Sequence, residues 1–384
     1  MKRRAFIQKS AATASVFSIV PSHVLGFSGV APNDKIQLGF IGVGKQGRGL
    51  MTNFVNYDAA AITAVSDVDV DKMSLFSEAF SKALAKKKKP TQKLSEMASY
   101  RELLSRKDID AVVIASPDHW HAQMAVDAAK AGKDIYCEKP LSASVAEGRA
   151  MVDAARKYQR VFQTGSMQRS WDRFRHGVEL IRNGYIGEIK EIKVAIGAPY
   201  KSCDLPTQAA PANIDWNAWI GPAPYRGYHE DLACPIGDKR WGMWRDYYPF
   251  GGGMVTDWGA HMFDIVQWAL DQDHTGPVQF TPPSSPSESG LVYTYENGIK
   301  VTHTKWGENN NEIQFIGTEG RLEISRGYLK TYPDASLADK PIETPNAKRV
   351  YHSKNHHEDW LQAIRDRTRP ICDVEIGHRT ASVC

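Results

Sequence analysis

The chain has 384 residues, enough for two domains with separate cores, and its 42% hydrophobic content is that of an ordinary globular protein. No run of 18 or more uninterrupted apolar residues occurs, which argues against a membrane-spanning mature protein. The formal charge of +4 comes from Lys2, Arg3, Arg4 and Lys9, which have no acid near them; without them 44 basic residues face 44 acidic ones, and nothing draws the chain generally toward nucleic acid.

In chain order, Met1-Lys-Arg-Arg-Ala-Phe-Ile-Gln-Lys9 is followed by a modest apolar stretch over 11–20, then Pro21 and a small-residue cleavage point near Gly26. Residues 1–26 read as a twin-arginine export signal, which predicts a periplasmic protein. No cysteine lies near the cleavage region, so neither a lipid anchor nor membrane contact is expected after cleavage. An apolar run from Ile36 to Ile41 then leads into Gly42-Val-Gly44-Lys-Gln-Gly47, and Gly49-Leu-Met-Thr-Asn-Phe54 reads as the start of a helix. This is a dinucleotide-binding fingerprint. The first glycine permits the tight turn, the second lets backbone approach a pyrophosphate, and the third lets helix and strand pack closely. A second apolar stretch over 59–65 ends in Ser66-Asp67, and Asp67 stands 20 residues beyond Gly47, where an acid grips the adenine ribose. A carboxylate there favours NAD over NADP.

The alternation of strand and helix continues. Residues 111–116 form a continuous apolar strand, 121–131 a helix ended by Gly132, 134–137 a strand, 143–158 a helix and 161–164 a closing strand. Residues 35–157 are therefore a doubly wound α/β domain of Rossmann type, with loops after Ala115 and Cys137 on the ligand-binding edge. The run Lys86 to Lys89 before Pro90 reads as a solvated helix end.

Residues 158–384 follow a different grammar. A strand over 188–196, a helix over 254–270, a hairpin over 291–304 with Asn297-Gly298 as its turn, and strands at 312–316 and 321–324 predict an α+β domain with an open, mostly antiparallel sheet. Between them, 199–253 is rich in aromatics, including Trp216, Trp219, Tyr225, Tyr228, Trp241, Trp244, Tyr247 and Tyr248. The five cysteines show neither a C-x-x-C pair nor zinc-ligand spacing and read as separate thiols, with a Cys203–Cys234 pairing as the alternative. His119-x-His121 and His356-His357 lack carboxylate or cysteine partners at convincing spacing, so no metal is expected. The chain stops at Cys384 without a cap, as a truncated helix would.

Oxidising an alcohol by hydride transfer needs an acceptor, a base for the hydroxyl proton and a positive group for the developing alkoxide. Glu138-Lys139-Pro140 ends a strand on the cofactor edge, which places the Lys139 ammonium near a nicotinamide. In Gly251-Gly-Gly-Met-Val-Thr-Asp257-Trp-Gly-Ala-His261-Met-Phe-Asp264, Asp257 and His261 share a helix face. His261 is the expected proton acceptor, supported by Asp257 or Asp264, with Lys139 acidifying the hydroxyl. From spacing alone, an Asp–His pair stabilising a helix start and a surface lysine fit equally well.

Gly42-x-Gly-x-x-Gly47, Ser116-Pro117-Asp-His-Trp-His121, Glu138-Lys-Pro140 and Asp257-x-x-x-His261, in this order, resemble the glucose-fructose oxidoreductase, inositol dehydrogenase and rhizopine catabolism (Gfo/Idh/MocA) family. The resemblance implies a Lys139, Asp257 and His261 catalytic set acting on sugars and cyclitols. It also implies cofactor contacts from Ser116, Pro117, His121, Glu138 and Lys139, a start of the interdomain crossing near substrate at Gln168-Arg169, and a homo-oligomer built through the open sheet. Aromatic rings stack on the C–H faces of pyranoses, so Trp241, Trp244 and Tyr248, closest to the glycine run, are expected at the substrate. The expected activity is NAD-dependent hydride transfer at a secondary hydroxyl of a sugar, sugar derivative or cyclitol. One alternative is a glycoside hydrolase working by transient C3 oxidation, elimination and re-reduction; another is a non-catalytic sugar or nucleotide sensor. A periplasm would not supply free NAD, and twin-arginine export carries folded proteins, so tightly bound NAD is expected.

Overall fold

The structure, a computed structural model, describes residues 34–284, 289–307, 309–343 and 345–384. The expected export signal lies outside the described residues. The first sheet is assembled from strands whose residues are buried on both faces, as parallel strands covered by helices must be. Its elements in chain order are β1 (Ile36–Ile41), α1 (Lys45–Phe54), β2 (Ala60–Ser66), α2 (Val70–Lys86), β3 (Ser95–Met97), α3 (Tyr100–Ser105), β4 (Ala111–Ile114), α4 (Asp118–Lys130), β5 (Asp134–Cys137), α5 (Val145–Lys157) and β6 (Phe162–Thr164). The six strands run parallel in the order β3-β2-β1-β4-β5-β6, so the order reverses between β1 and β4. Ligands bind at such a reversal, outside the carboxyl ends of the strands.

Local chemistry fixes the helix starts. The Asp69 carboxylate accepts from the backbone N–H groups of Asp71 and Lys72 to cap α2, and the Ser144 hydroxyl accepts from Glu147 N–H to cap α5. Two apolar layers close on the sheet, one around Phe40, Phe54, Phe76 and Phe80 and the other around Leu103, Ile114, Ile135 and Phe162. Each such side chain contributes roughly 1.5–3 kcal/mol by leaving water.

The chain then crosses through a single turn over Met167–Ser170 into α6 (Asp172–Arg182) and β7 (Ile189–Ala195). Next come a two-stranded ribbon of β8 (Lys201–Ser202) and β9 (Tyr247–Tyr248), with α7 (Trp216–Ile220) between them, and then α8 (Gly253–Asp257) and α9 (Gly259–Ala269). The single helix expected over 254–270 is therefore two, broken at Trp258. Strands β10 (Gln279–Thr281), β11 (Val292–Thr294), β12 (Lys300–His303), β13 (Glu312–Gly317), β14 (Arg321–Ser325) and β15 (Leu329–Tyr332) complete a seven-stranded sheet. Its order is β10-β11-β12-β7-β13-β14-β15, antiparallel except where β12 runs parallel to β7. Period-2 alternation decides its faces: Ile192, Val194, Val301, Phe315, Leu322 and Ile324 pack on α6 and α9, while Lys193, Thr302, Gln314 and Glu323 point to the other, open face. Gly298 takes a positive φ of 83° in the expected hairpin turn.

Two C-terminal helices return to the first sheet. In α10 (His356–Asp366) Trp360, Leu361 and Ile364 join the layer beside Phe54, while α11 (Val374–Val383) lies against α5. The five cysteines are free thiols. Buried histidines staple these junctions: His119 Nε2 meets the Trp219 carbonyl at 3.0 Å, His356 Nε2 meets the Thr164 carbonyl at 3.0 Å, and the His357 ring stacks on Tyr136 at 5.6 Å.

Burial pushes His119, His121 and His357 down to about 4 and His356 down to about 3. A histidine whose folded pKa is depressed contributes its full stability above the unfolded value of about 6.5 and loses it as the pH falls, because the unfolded chain binds the extra proton. At pH 5 each of the four should cost about 2 kcal/mol. The urea midpoint is therefore expected to drop steeply between pH 7 and pH 5; an unchanged midpoint would contradict these neutral, buried imidazoles.

Candidate active site

The glycine turn after β1 shows three distinct constraints. Gly42 has φ +80°, and a Cβ there would stand 2.5 Å from the Ser116 nitrogen. A Cβ on Gly47 would lie 2.4 Å from the Gly42 carbonyl oxygen, so α1 packs on the turn only without a side chain. At Gly44 a Cβ would meet nothing within 4 Å, which leaves its backbone free for approach by a ligand. The turn opens into a cavity of about 430 Å³ whose walls include Gly42, Gly44, Gln46, Asp67, Arg101, Ser116 and Pro117. Asp67, at the end of β2, accepts from the Val43 N–H at 2.8 Å and the Asp69 N–H at 3.0 Å. Burial raises its pKa, while Lys72 and the two N–H groups oppose the rise. The Ser116 hydroxyl is buried without a partner among the described residues and lines the same cavity. These features fit a dinucleotide, with its pyrophosphate over the glycine turn and its ribose at Asp67.

The opposite wall is the aromatic insert. Trp219, Leu232, Cys234, Ile236, Trp241 and Trp244 line the cavity from that side. The insert has a core of its own, with Trp216 stacked on Trp219 at 4.6 Å and both gathered with Tyr228, Leu232, Trp244 and Phe250. Backbone bonds tie it to the ribose loop, Val70 N–H to the Asn213 carbonyl at 3.0 Å and Asp215 N–H to the Val68 carbonyl at 2.9 Å. Farther along, the Lys45 ammonium donates to the Arg240 carbonyl. Trp241 and Trp244 thus sit against the dinucleotide cavity, and both rings also stack on Arg245, at 5.4 and 4.2 Å. Tyr248 is exposed and packs on Tyr200 at 5.3 Å. Aromatic composition could not tell a cofactor roof from a sugar platform, because both use the same rings.

At one end of the cavity, Gln46 and Arg245 reach a cluster of buried charges. Gln46 donates to Glu138 at 2.7 Å, and Arg245 Nε stands 3.4 Å from Asp257 Oδ1. Lys139 Nζ lies 2.7 Å from the same Asp257 oxygen and 3.1 Å from the Asp257 carbonyl. Burial pulls the Asp257 carboxyl upward, but Lys139 and Arg245 outweigh it and hold the group below the usual carboxylate range. Burial raises Glu138, against Lys139 and Gln46, and raises Asp118 well above its ordinary value, against Arg245. Asp118 and Arg245 were not anticipated. Asp118 stands inside the Ser116–His121 motif, which could have flagged it; nothing adjacent to Arg245 in sequence points to Asp257.

His261 is 5% exposed, with its Nδ1 unpartnered among the described residues and its ring edge-on to Trp258 at 5.7 Å. Burial, helped by Lys139, Arg326 and His356, pushes its pKa well below the ordinary value, so it is neutral at pH 7. The acidic support expected for it is absent. Asp257 turns to Lys139 and Arg245 because the helix breaks between the two residues, and Asp264 binds Arg169 and accepts from the Thr380 hydroxyl at 2.8 Å.

Two expectations from the family resemblance are corrected. His121 is buried between the two strand-end loops, with Nδ1 2.8 Å from the Pro140 carbonyl and Nε2 3.1 Å from the Ser116 carbonyl, so its ring nitrogens face backbone. The Arg169 guanidinium is 1% exposed and pairs with Asp264 at 2.8 Å and Asp273 at 2.7 Å, so it is spent on buried acids and not presented to a ligand. Its neighbour Gln168, also buried, accepts from Arg326 Nε at 2.7 Å. Among the described residues no group of three or more metal-ligating side chains occurs.

This fold and site define a dinucleotide-dependent oxidoreductase with a separate second domain. A family model described as "Oxidoreductase family, NAD-binding Rossmann fold" matches residues 36–166, and its companion, "Oxidoreductase family, C-terminal alpha/beta domain", matches 199–384. The chain belongs to the Gfo/Idh/MocA family of NAD(P)-dependent oxidoreductases. It is 31% identical to the uncharacterized oxidoreductase YrbE of Bacillus subtilis over 76% of this chain and 71% of that protein. A glycosyl hydrolase family 109 protein of Shewanella pealeana is 35% identical, but over 40% of this chain and only 31% of its own length. Among solved structures, the WlbA dehydrogenase from Bordetella pertussis in complex with NADH and UDP-GlcNAcA superposes with a TM-score of 0.60 at 15% identity, covering 91% of this chain and 94% of that one. The myo-inositol 2-dehydrogenase from Lactobacillus plantarum gives 0.57 at 18%, covering 91% and 95%. At these identities the likeness is one of fold.

The open space at Gly44 separates cofactor binding from folding. Gly44→Val should leave the thermal midpoint within a few degrees of the wild type while weakening NAD binding at least about tenfold, through the lost approach to the pyrophosphate. Calorimetric titration beside a melting curve checks both, and unchanged affinity would remove the pyrophosphate from this turn.

Proposed function

We propose that the chain transfers hydride between NAD and a secondary hydroxyl of a sugar, sugar acid, cyclitol or glycoside. The observation that carries this reading is the Lys139–Asp257 pair at 2.7 Å with neutral, buried His261 nearby, joined to the glycine-lined cavity through Arg245 on Asp257. Bound NAD supplies the hydride acceptor. Asp257, kept ionised, holds the Lys139 ammonium in place, and that ammonium stabilises the oxygen as it loses its proton. His261 Nδ1 takes the proton. The names of relatives support a carbohydrate-type substrate, since WlbA carries a nucleotide sugar and another structural neighbour is a cyclitol dehydrogenase. Asp67 and the nearby Asp69 favour ribose hydroxyls over a 2′-phosphate, hence NAD over NADP.

A second reading keeps the same residues but returns the hydride within one turnover, giving a glycosidase that consumes no NAD. It is favoured by the insert that walls the cavity and by the partial similarity to glycosyl hydrolase family 109 proteins. The same wall supports tightly retained NAD, loaded before twin-arginine export to the periplasm, and assembly through the open face of the seven-stranded sheet belongs to this proposal. A non-catalytic sensor is disfavoured by the assembled Lys139, Asp257 and His261.

Protein denatured after purification should release stoichiometric NAD, and hydride exchange with a panel of sugars, cyclitols and aryl glycosides should follow. Lys139→Met and His261→Ala should each lower kcat by about 10²- to 10⁴-fold with NAD still bound. Full exchange activity in either variant would refute the assignment, and aglycone release without NADH accumulation would select the glycosidase.

A further inference from the structure

We propose that the substrate carries a carboxylate, as a uronate or aldonate does, and that Arg326 reads it. The inference rests on the placement of the reacting hydroxyl at Lys139 and His261. Arg326 begins the turn between β14 and β15, and its guanidinium lies over Trp258, the residue after Asp257. The turn is fixed from both sides: the Ser325 hydroxyl accepts from the N–H groups of Gly327 and Tyr328 at 3.1 and 3.3 Å, and Arg173 donates to the Arg326 carbonyl.

The guanidinium is held as a planar shelf, 4.4 Å over the Trp258 ring and 5.4 Å from the Trp171 ring. Its Nε donates to Gln168, itself 1% exposed, so one edge of the fork is anchored to the buried crossing segment. No ion pair to either Nη group is formed by the described residues; the guanidinium is half-buried, and burial lowers its pKa against Asp257, which acts on it from beyond ion-pair distance. A half-buried arginine without a carboxylate is uncommon, because desolvating the charge costs free energy that a counterion would return. Other half-buried guanidiniums spend their Nη groups within the chain, Arg156 and Arg367 on Asp373 and Asp134, Arg226 and Arg160 on backbone carbonyls; among the described residues the Nη groups of Arg326 have neither.

The neighbourhood of the proton acceptor adds a second, independent observation. Trp258 also meets His261, edge-on at 5.7 Å, and the cations that join burial in acting on His261 are Lys139 and Arg326. A substrate carboxylate on the open Nη edge would neutralise Arg326 and ease the charging of His261 as it takes the hydroxyl proton. Arg326 is then a specificity residue, and the carboxylate it binds serves the base as well. The bond-making step is unchanged: the hydroxyl proton goes to His261 and the C–H hydride to NAD.

The test uses the NAD-loaded full chain, titrated calorimetrically with glucuronate, galacturonate and gluconate beside the methyl esters of the two uronates and the neutral parent sugars. At least one acid is expected to bind about 10- to 100-fold more tightly than its uncharged counterpart, the range of a charge-assisted hydrogen-bonded pair. In Arg326→Gln that ratio should fall close to one, and in Arg326→Lys part of it should return, with the change seen in KM more than in kcat. Equal affinity for acid and ester in the wild type, or a preference that survives in Arg326→Gln, overturns the proposal. The wild-type comparison stands alone if a variant fails to fold. Hydride exchange measured on the same ligands separates the two ideas. Tight acid binding without exchange overturns the proposed catalytic function and leaves Arg326 as a carboxylate site, whereas exchange with no preference for acids overturns the Arg326 proposal alone.

Discussion

One buried cation holds the two sheets in working register. Arg169 lies on the short turn by which the chain leaves the first sheet, and its guanidinium is clamped by Asp264 of α9 and by Asp273 just beyond that helix. A charge so fully desolvated is tolerable only with such partners, and removing one of them costs about 3–5 kcal/mol in comparable buried pairs. The pair fixes α9, which carries His261, relative to β6 and the strand-end loop that carries Lys139. Thr380 of α11 donates to the same Asp264 carboxylate, so the returning C-terminal segment is part of one polar knot. Everything proposed for the reacting centre presupposes that this junction does not slide, because Lys139 and Asp257 come from elements 118 residues apart and meet at hydrogen-bond distance.

Around that junction the charges are divided by function. Burial raises Glu138 and Asp118 against Lys139 and Arg245, the same two cations that hold Asp257 down, while Lys139 and Arg326 act on His261. Asp257 is shared by two cations and stays ionised; His261 is buried, with Lys139 and Arg326 adding to the effect of burial, and stays neutral. Two groups four residues apart in sequence are thus driven to opposite protonation behaviour by their surroundings, which suits one to holding an ammonium and the other to accepting a proton. The break at Trp258 makes this division geometric, since a continuous helix would have set carboxylate and imidazole side by side.

The aromatic insert is a small packed unit in its own right, and its inner surface completes the cavity that begins at the glycine turn. Stacked tryptophans give it rigidity without a long secondary-structure element. Backbone hydrogen bonds to the loop after β2 bind it where the ribose would lie. Access to the cavity from that side therefore depends on the folding of the insert.

Much of the architecture was legible in the sequence because it rests on local rules. The glycine turn, the strand–helix alternation, Asp67 at the end of β2, the Asn297-Gly298 hairpin and the approach of Lys139 to the cofactor edge all follow from periodicity, backbone freedom and strand direction, which neighbouring residues set between them. Tertiary structure alone decided what each long-range charge would meet. Arg169 became a buried strut where a substrate contact was expected, His121 a loop staple, Trp241 and Trp244 a cofactor wall, and Asp257 a partner of Lys139 instead of His261. Arg245 and Arg326, silent in the sequence, entered the site from separate loops. Hydrophobic pattern determines which face of an element is buried, but the pairing of charged groups depends on which faces the packed core finally brings together, and no spacing along the chain encodes that distance.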